Sequence, residues 1–375
     1  MKIQFITSYP LHNEPVIRNR LAPFIKVANQ YNYEVQVISS DDQPFEIEGD
    51  YFQHVTSADY VKKPRGFASR MWFEIKQARR LINCAKQYDA DVRVITVPSM
   101  FLLFNVYLFR KRSFIIDLRD LTWEYIPETG FVSKLAKKIF RFLACKNIKK
   151  ASFVNVTNDT EAEYLKNRFK VDKPILLVPN GVSQQQFTQL SQISEKQSGA
   201  LSIAYIGNVG LAQNLRNLID AAQHIPEVDF YIVGSGTDFK SVKDYAEQRN
   251  LSNLLITGRL PWSEVMKIYE KADVLYAQLS PDFSTAMPSK LYEYLSTGKY
   301  IIYGGQEQAA KILSNFDNNL VIEPCNSIML EEAIKKVIND GLFTVSSNMN
   351  KKKIGKGFVR EMSVTRVFDY LKSRK

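Results

Sequence analysis

The chain has 375 residues, 45% of them hydrophobic, with three cysteines and a formal charge of +11 from 50 basic against 39 acidic side chains. That is more than one ordinary core accommodates and ample for two domains of about 150–200 residues, which excludes a disordered chain and a small disulfide scaffold. Such basicity implies a polyanionic partner, and the charge is segregated: residues 51–150 carry 20 basic and 8 acidic groups, residues 181–350 carry 13 against 18, and the last 25 carry 9 against 2. No recognition-helix, zinc or aromatic RNA-binding signature accompanies it, so nucleic acid is not the expected partner. Cys84, Cys145 and Cys325 are odd in number and far apart, which fits a reducing, cytoplasmic compartment and no CxxC metal site. The start lacks the pattern of a signal peptide. The uncharged, mostly apolar run Val94 to Phe109 falls short of the roughly 18 residues of a spanning helix and contains Pro98 and Asn105.

Short β-branched and aromatic runs alternate with longer helical patterns. Lys2–Thr7, Glu34–Ser39, Val92–Val97, Phe114–Leu118, Phe153–Val156 and Ile175–Val178 read as strands, with helices such as Leu21–Tyr31, Phe73–Gln87 and Val132–Lys149 between them. The polar stretch Ser183–Gly199, rich in Ser and Gln, reads as a linker. Beyond it Leu201–Ile206, Asp229–Val233, Asn253–Thr257, Val274–Gln278, Tyr300–Tyr303 and Leu320–Ile322 repeat the alternation, and Asn350–Lys375 reads as a terminal helix. The expectation is α/β: two Rossmann-like, doubly wound domains, 1–182 and 200–349, facing across a cleft.

Two constellations in the second domain point to an anion. Gly207-Asn208-Val209-Gly210 follows the first strand and precedes a helix, a turn where glycines let a backbone approach a phosphate or simply pack tightly. A second glycine pair, Gly234 and Gly236, follows the next strand, with the same two readings. In Pro288–Gly298, Pro288 suits a first helical turn and Gly298 a helix stop. Ser289 and Lys290 then sit at the positive end of the helix, where an uncompensated lysine is unfavourable unless an anion joins it, a capped surface helix being the plainer alternative. Glu293 lies one turn on, within reach of a ligand's hydroxyls.

These runs, IGNVGLAQNLRNLIDAA, IVGSG, ITGRL, ADVLYAQL and PSKLYEYLSTGKYII, together with Val178–Val182, resemble the retaining GT-B glycosyltransferases of family 4. Within that family they are most similar to the branch acting in bacterial surface polysaccharide synthesis, such as O antigen and capsule. The resemblance implies a metal-independent transferase without cofactor, using a nucleotide-sugar donor, a UDP-sugar, and a lipid-diphosphate-linked saccharide acceptor. It implies that Gly207, Asn208 and Gly210 meet the donor diphosphate, that Glu293 meets the ribose, and that the segment holding Gly258 and Arg259 receives the base. Gly234, Ser289 and Lys290 complete the donor set. Two departures stand out: the family's Arg/Lys phosphate clamp falls on Asn208 and near Gln213, both neutral, and the first glutamate of its paired-glutamate motif falls on Thr285. Lys290, with Arg259 or Arg216, is expected to replace the missing charge. A nucleotide-sugar 2-epimerase of the same fold and a silent GT-B binding protein are the competing readings.

In the first domain, Asp117–Glu124 resembles the DxRD-type segment of the same branch, which makes Asp120 and Arg119 candidates for positioning the acceptor hydroxyl, with a loop salt bridge as the plainer alternative. Arg18 and Arg20 are candidates for gripping the acceptor's diphosphate, with surface salt bridging as the equal alternative. No histidine stands beside this motif. In Phe131–Lys150, Val132, Leu135, Ile139, Phe142 and Leu143 recur at helical spacing and are expected to pack, leaving Lys134, Lys137, Lys138 and Arg141 on a positive outer face. With the aromatic run Phe101–Phe109 and Arg110-Lys111-Arg112, that face suggests peripheral docking on the anionic inner leaflet of the plasma membrane, with a plain core helix and a solvated face as the alternative.

Overall fold

The computed structural model describes residues 1–374 apart from 13, 42, 48, 58–66, 98, 110–112, 127, 195–199 and 284–287. The chain forms two compact units, Met1–Asn180 with Arg360–Lys375, and Gly181–Val359.

In the first unit the strands are β1 (Lys2–Ile6), β2 (Glu34–Ser39), β3 (Gln53–Thr56), β4 (Val92–Val97), β5 (Phe114–Leu118), β6 (Val154–Val156) and β7 (Ile175–Leu177). They lie in the order β3-β2-β1-β4-β5-β6-β7, and every pairing is parallel. The helices are α1 (Pro15–Gln30), α2 (Phe67–Lys86), α3 (Met100–Phe104), α4 (Phe131–Ile148) and α5 (Asp159–Asn167). Side chains alternate between the faces of the sheet, as a two-residue period requires. Ile3, Phe5, Val35 and Val37 pack with α1, while Ile6, Ile38, Ile95 and Leu118 pack with α2 and α3.

The second unit repeats the plan. It comprises α6 (Gln184–Ser191), β8 (Ser202–Ile206), α7 (Arg216–His224), β9 (Asp229–Val233), α8 (Phe239–Glu247), β10 (Leu254–Thr257), α9 (Trp262–Lys271), β11 (Val274–Gln278), α10 (Lys290–Thr297), β12 (Tyr300–Gly304), α11 (Glu307–Leu313), β13 (Asn319–Ile322), α12 (Ser327–Asn339) and α13 (Asn348–Gly357). Its parallel sheet runs β10-β9-β8-β11-β12-β13. Strand order reverses between β1 and β4 in one sheet and between β8 and β11 in the other, the switch points at which open α/β sheets hold ligands. No helix among the described residues is long and apolar enough to cross a membrane.

Four expectations are corrected. The stretch read as a linker is structured up to residue 194: Ser183 caps α6 through its hydroxyl to the Gln186 N–H, and the Gln186 amide oxygen accepts the Ser183 N–H in return. Phe187, Leu190 and Ile193 then enter the core of the second unit; residues 195–199 lie outside the described residues. The expected single terminal helix is two. α13 belongs to the second unit and α14 (Arg360–Lys372) to the first, where Val364, Val367 and Phe368 pack against α1. The chain therefore changes units twice, at Asn180/Gly181 and Val359/Arg360, where Val182 and Val359 pair as a parallel bridge.

The run Phe101–Phe109 is core. Phe101, Leu102, Leu103, Phe104, Val106 and Phe109 are buried against the sheet, so they are not a surface for lipid. Arg110-Lys111-Arg112 lie outside the described residues. Helix α4 inverts its expected orientation. Phe131, Val132, Leu135, Ile139 and Phe142 are exposed, while Phe140, Leu143, Ala144 and Ile148 pack inward. Lys137 and Arg141, expected to face solvent, are tied to Glu124 and Glu128. Both sides of this helix carry apolar residues at helical spacing, so the period alone does not choose between them.

If α6 is core, Leu190→Ala lowers the unfolding free energy of the second unit by about 2–5 kcal/mol. A linker leucine would cost no more than about 0.5 kcal/mol, and denaturant unfolding separates the two.

Candidate functional site

At the carboxyl end of β8 the chain turns through Gly207–Gly210 into a 3-10 turn at Leu211–Gln213 and then α7. This turn packs on the one after β9. A Cβ on Gly234, whose φ is +144°, would lie 1.8 Å from the Gly207 carbonyl oxygen, and one on Gly236 would lie 2.3 Å from the Val209 oxygen. Gly234, expected to bind donor, thus serves the close approach of two backbones. The amides expected to face a phosphate are mostly engaged: Gly207 N–H donates to Val233 O at 2.9 Å, Val209 N–H to Ser235 O at 3.1 Å, and Gly210 N–H to the Gln213 side-chain oxygen at 3.2 Å. The same Gln213 oxygen accepts from Asn208 Nδ2 at 3.3 Å, so the two neutral residues at the clamp positions close on each other.

Helix α10 is fixed to this turn by one phenol. The Tyr294 hydroxyl accepts the Ile206 N–H at 2.8 Å and donates to the Ile206 carbonyl at 3.1 Å. That seats Lys290 beside the turn, its Cγ 3.6 Å from where a Cβ on Gly207 would be. Glu293, 6% exposed, accepts from Lys290 Nζ at 2.8 Å and from the Tyr269 hydroxyl at 3.1 Å. The structure therefore brings together Gly207, Lys290 and Glu293. Ser289 is exposed just before α10, and its side chain accepts no capping hydrogen bond. Gly258 and Arg259 follow β10; both are exposed, and the Gly258 carbonyl accepts the Gly234 N–H at 3.3 Å. Arg216 is occupied by the Ser241 hydroxyl at 2.7 Å and the Tyr245 ring. Thr285 lies outside the described residues.

In the first unit the chemistry gathers past the end of β5. Arg20, expected to hold an acceptor phosphate, is 6% exposed and makes a two-pronged ion pair with Asp117 (2.6 and 3.1 Å) and a bond to the Val178 carbonyl at 2.7 Å. It is committed to the fold, because α1 turns that position inward. Arg18 lies on the half-buried flank of α1, its guanidinium carbon 5.6 Å from the Phe45 ring centre. Arg119 is different: its Nε and Nη1 are buried without a hydrogen-bond partner. Burial and the neighbouring Arg20 lower its pKa, while Asp117 and Asp120 oppose them. Burial raises the Asp120 carboxyl, against Arg119 and the Tyr125 hydroxyl, which donates to it at 3.3 Å. A buried, donor-rich cation beside a carboxyl of raised pKa can hold an anionic or hydroxylic group and share its proton.

Sequence reasoning missed three features here. Glu161, 5% exposed in the first turn of α5, accepts from the Thr157 N–H and hydroxyl at 2.8 and 3.0 Å, and burial pushes its pKa up to about 7, with Asp120 adding to the rise. Its signal was the Asn158-x-x-Glu161 capping pattern. Thr96 and Asn155 flank Asp117 in register on β4 and β6, and their buried side-chain polar atoms lack partners. Ser39, Asp41 and His54 form a buried clamp under the loop after β1. Asp41 accepts from the Leu11 and His12 amides at 2.8 and 3.1 Å, and Ser39 and His54 approach it from β2 and β3. Burial raises the Asp41 carboxyl, but these hydrogen bonds outweigh it and hold the pKa at about 2.

Residues 186–356 match the family model described as glycosyl transferases group 1. The match covers just under half of the chain and falls within the second unit. An uncharacterised glycosyltransferase of Methanocaldococcus jannaschii is 27% identical over 157 residues, 41% of this chain and 44% of that one, so the match spans less than half of the relative. Among solved structures, sucrose-phosphate synthase from Thermosynechococcus elongatus superposes with a TM-score of 0.73 at 14% identity, covering 100% of this chain and 98% of that one. Anabaena HepE, solved with UDP and glucose, gives 0.68 at 14% identity with both chains fully covered. WaaG, a glycosyltransferase involved in lipopolysaccharide biosynthesis, gives 0.65 at 13% identity over 97% and 98%. At such identities the likeness speaks to fold, and the fold is GT-B, as the sequence led one to expect. Within the matched stretch, Gly207, Lys290 and Glu293 are the donor-side candidates that the structure juxtaposes.

Glu161 supplies a pH test. Its carboxyl sits at about 7 folded against an ordinary value of 4.5, so the stability it lends is full below about pH 4.5 and is lost as pH rises through 7, by up to about 3 kcal/mol. Glu161→Gln should flatten the melting temperature between pH 4.5 and 7 and raise it at pH 8. An unchanged profile would mean that Glu161 ionises normally.

Proposed function

We propose that the protein is a glycosyltransferase that moves a sugar from a UDP-sugar to a hydroxyl of a saccharide carried on a lipid diphosphate, with retention at the anomeric carbon, in the synthesis of a bacterial surface polysaccharide at the inner face of the plasma membrane. The observation that carries this reading is the joint seat of Lys290 and Glu293 beside the Gly207 turn, within the stretch that matches the glycosyl transferases group 1 model. HepE, of the same fold, was solved with UDP and with UDP-glucose.

The roles follow from chemistry. The Lys290 ammonium has three donors and spends one on Glu293, so it can also meet a diphosphate oxygen. Glu293, an acceptor held in place by Tyr269 and Lys290, suits the ribose hydroxyls. A diphosphate oxygen replacing Gln213 Oε1 would take over both donors now satisfied by that atom, Gly210 N–H and Asn208 Nδ2. The neutral pair at the clamp positions then acts as a displaceable plug. Charge growing on the leaving diphosphate is met by Lys290 and these donors without a metal ion. Arg18 holds the acceptor's diphosphate. On the acceptor side, Arg119 supplies unmet donors, and Asp120 takes the proton of the attacking hydroxyl.

UDP should raise the melting temperature of the protein, by about 2.7 kcal/mol of stability at 100 times its dissociation constant. Lys290→Ala and Glu293→Ala should each weaken UDP binding about 10- to 100-fold, the loss of a charged hydrogen bond. Transfer should persist in EDTA with retained configuration in the product. No affinity for any sugar nucleotide, or strict dependence on Mn²⁺, would overturn the reading.

A further inference from the structure

Helix α4 presents an apolar stripe to solvent. Phe131 is 81% exposed, Val132 79%, Phe142 65%, and Leu135 and Ile139 close to half. Their spacing of three and four residues puts them on one side of the helix over its whole first three turns. The helix contains no acidic residue. Lys134 and Lys138 are exposed along one flank of the stripe, and Lys146, Lys149 and Lys150 are exposed at its far end. The acids that approach α4, Glu124 and Glu128, are held on the other side by Arg141 and Lys137.

The inner side anchors the helix firmly. Phe140 packs between Phe101 and Phe104 of α3, at ring separations of 6.0 and 5.4 Å, and the two-pronged Arg141–Glu124 pair fixes the rotation. The stripe is therefore held outward by the fold, not left outward by a loose helix.

We propose that this face of α4 inserts into an anionic lipid leaflet. An apolar stripe bordered by cations is what an interfacial helix requires: the aromatic and aliphatic side chains enter the acyl boundary while the lysines reach the headgroups. Anionic headgroups answer the charge that borders the stripe. A second copy of the chain does not, because a two-fold pairing of α4 would bring its lysines against their equivalents. The inference deepens the reading of a lipid-linked acceptor by naming the surface that brings the first unit to it. It also differs from attraction by net charge alone, since the stripe must leave water.

The test is co-sedimentation of the full chain with phosphatidylcholine vesicles, with and without 30% phosphatidylglycerol, alongside UDP binding by thermal shift. Binding should require the anionic lipid. Phe131→Ser combined with Phe142→Ser should weaken it about tenfold or more, and Lys134→Gln combined with Lys138→Gln about tenfold. All variants should keep the parent's melting temperature and UDP affinity, because these side chains are exposed. Unchanged vesicle binding in the Phe131/Phe142 variant would overturn insertion, and equal binding to neutral vesicles would overturn the anionic partner. A dimer by light scattering that the Phe131/Phe142 variant abolishes would assign the stripe to a second copy. Absence of UDP binding with vesicle binding intact would count against the transferase reading alone.

Discussion

Every strand pairing in both sheets is parallel, and most of the design follows from that constraint. Parallel neighbours need a crossover between them, the crossover helices cover both faces, and the central strands lose contact with water. In β4, β5, β8, β11 and β12 every residue is buried. Polar side chains within such strands must find partners inside the protein. On one face they do so through a chain of bonds: Arg93 donates to Gln4, Gln4 to Gln36, and Gln36 to Gln53, at 2.9, 2.6 and 2.8 Å across four strands. Arginine has donors only, so it fixes the direction of the chain, and every amide nitrogen points towards the sheet edge. Near the other end of the strands Asp117 is answered by Arg20. Removing either partner would leave a buried charge uncompensated, at a cost of about 3–5 kcal/mol.

Parallelism also collects all the carboxyl ends of a sheet on one edge, so side chains from distant sequence meet there. In the second unit Tyr294 makes that edge rigid. Its hydroxyl occupies both the backbone donor and the backbone acceptor of a single residue, Ile206, where β8 ends. Lys290 and Glu293, one turn and one residue before it, inherit their position from this bond. Tight glycine packing then sets the floor of the same edge, since Gly234 and Gly236 let the second turn lie directly against the first. A binding edge made this way depends little on rotamer freedom, which favours preorganised contacts.

The central strands were legible because burial on both faces leaves continuous β-branched runs. β3 was not, since Gln53-His54-Val55-Thr56 lies at the sheet edge and carries a polar residue at every second position or oftener. Helix α6 hid behind three consecutive glutamines; only Phe187, Leu190 and Ile193, at spacing of three, betrayed its buried side. That Lys290 and Glu293 lie together in the first turn of one helix was readable from motif and spacing. Arg20 was not assignable, because a guanidinium that grips phosphate and one that neutralises a buried aspartate look alike until the partner is known. Glu161, Asn155 and Thr96 gave no long-range signal, for their proximity to Asp117 and Asp120 arises only when β4, β5 and β6 align.

The charge pattern gains meaning from these placements. Residues 181–350 are net acidic, 18 against 13, yet this stretch holds the candidate diphosphate site. The opposition is weaker than it looks, because in about 0.15 M salt exposed charges more than about 8 Å away are largely screened. A phosphate is governed by the cations and donors that touch it, and Lys290, beside the Gly207 turn, is the cation proposed for that role. Over an extended anionic surface the balance shifts, because many exposed cations face it at once and their contributions accumulate within the screening length. The excess of basic residues in 51–150 suits that second task, and α4 adds to it the one thing charge alone lacks, an apolar face held outward by a packed inner side.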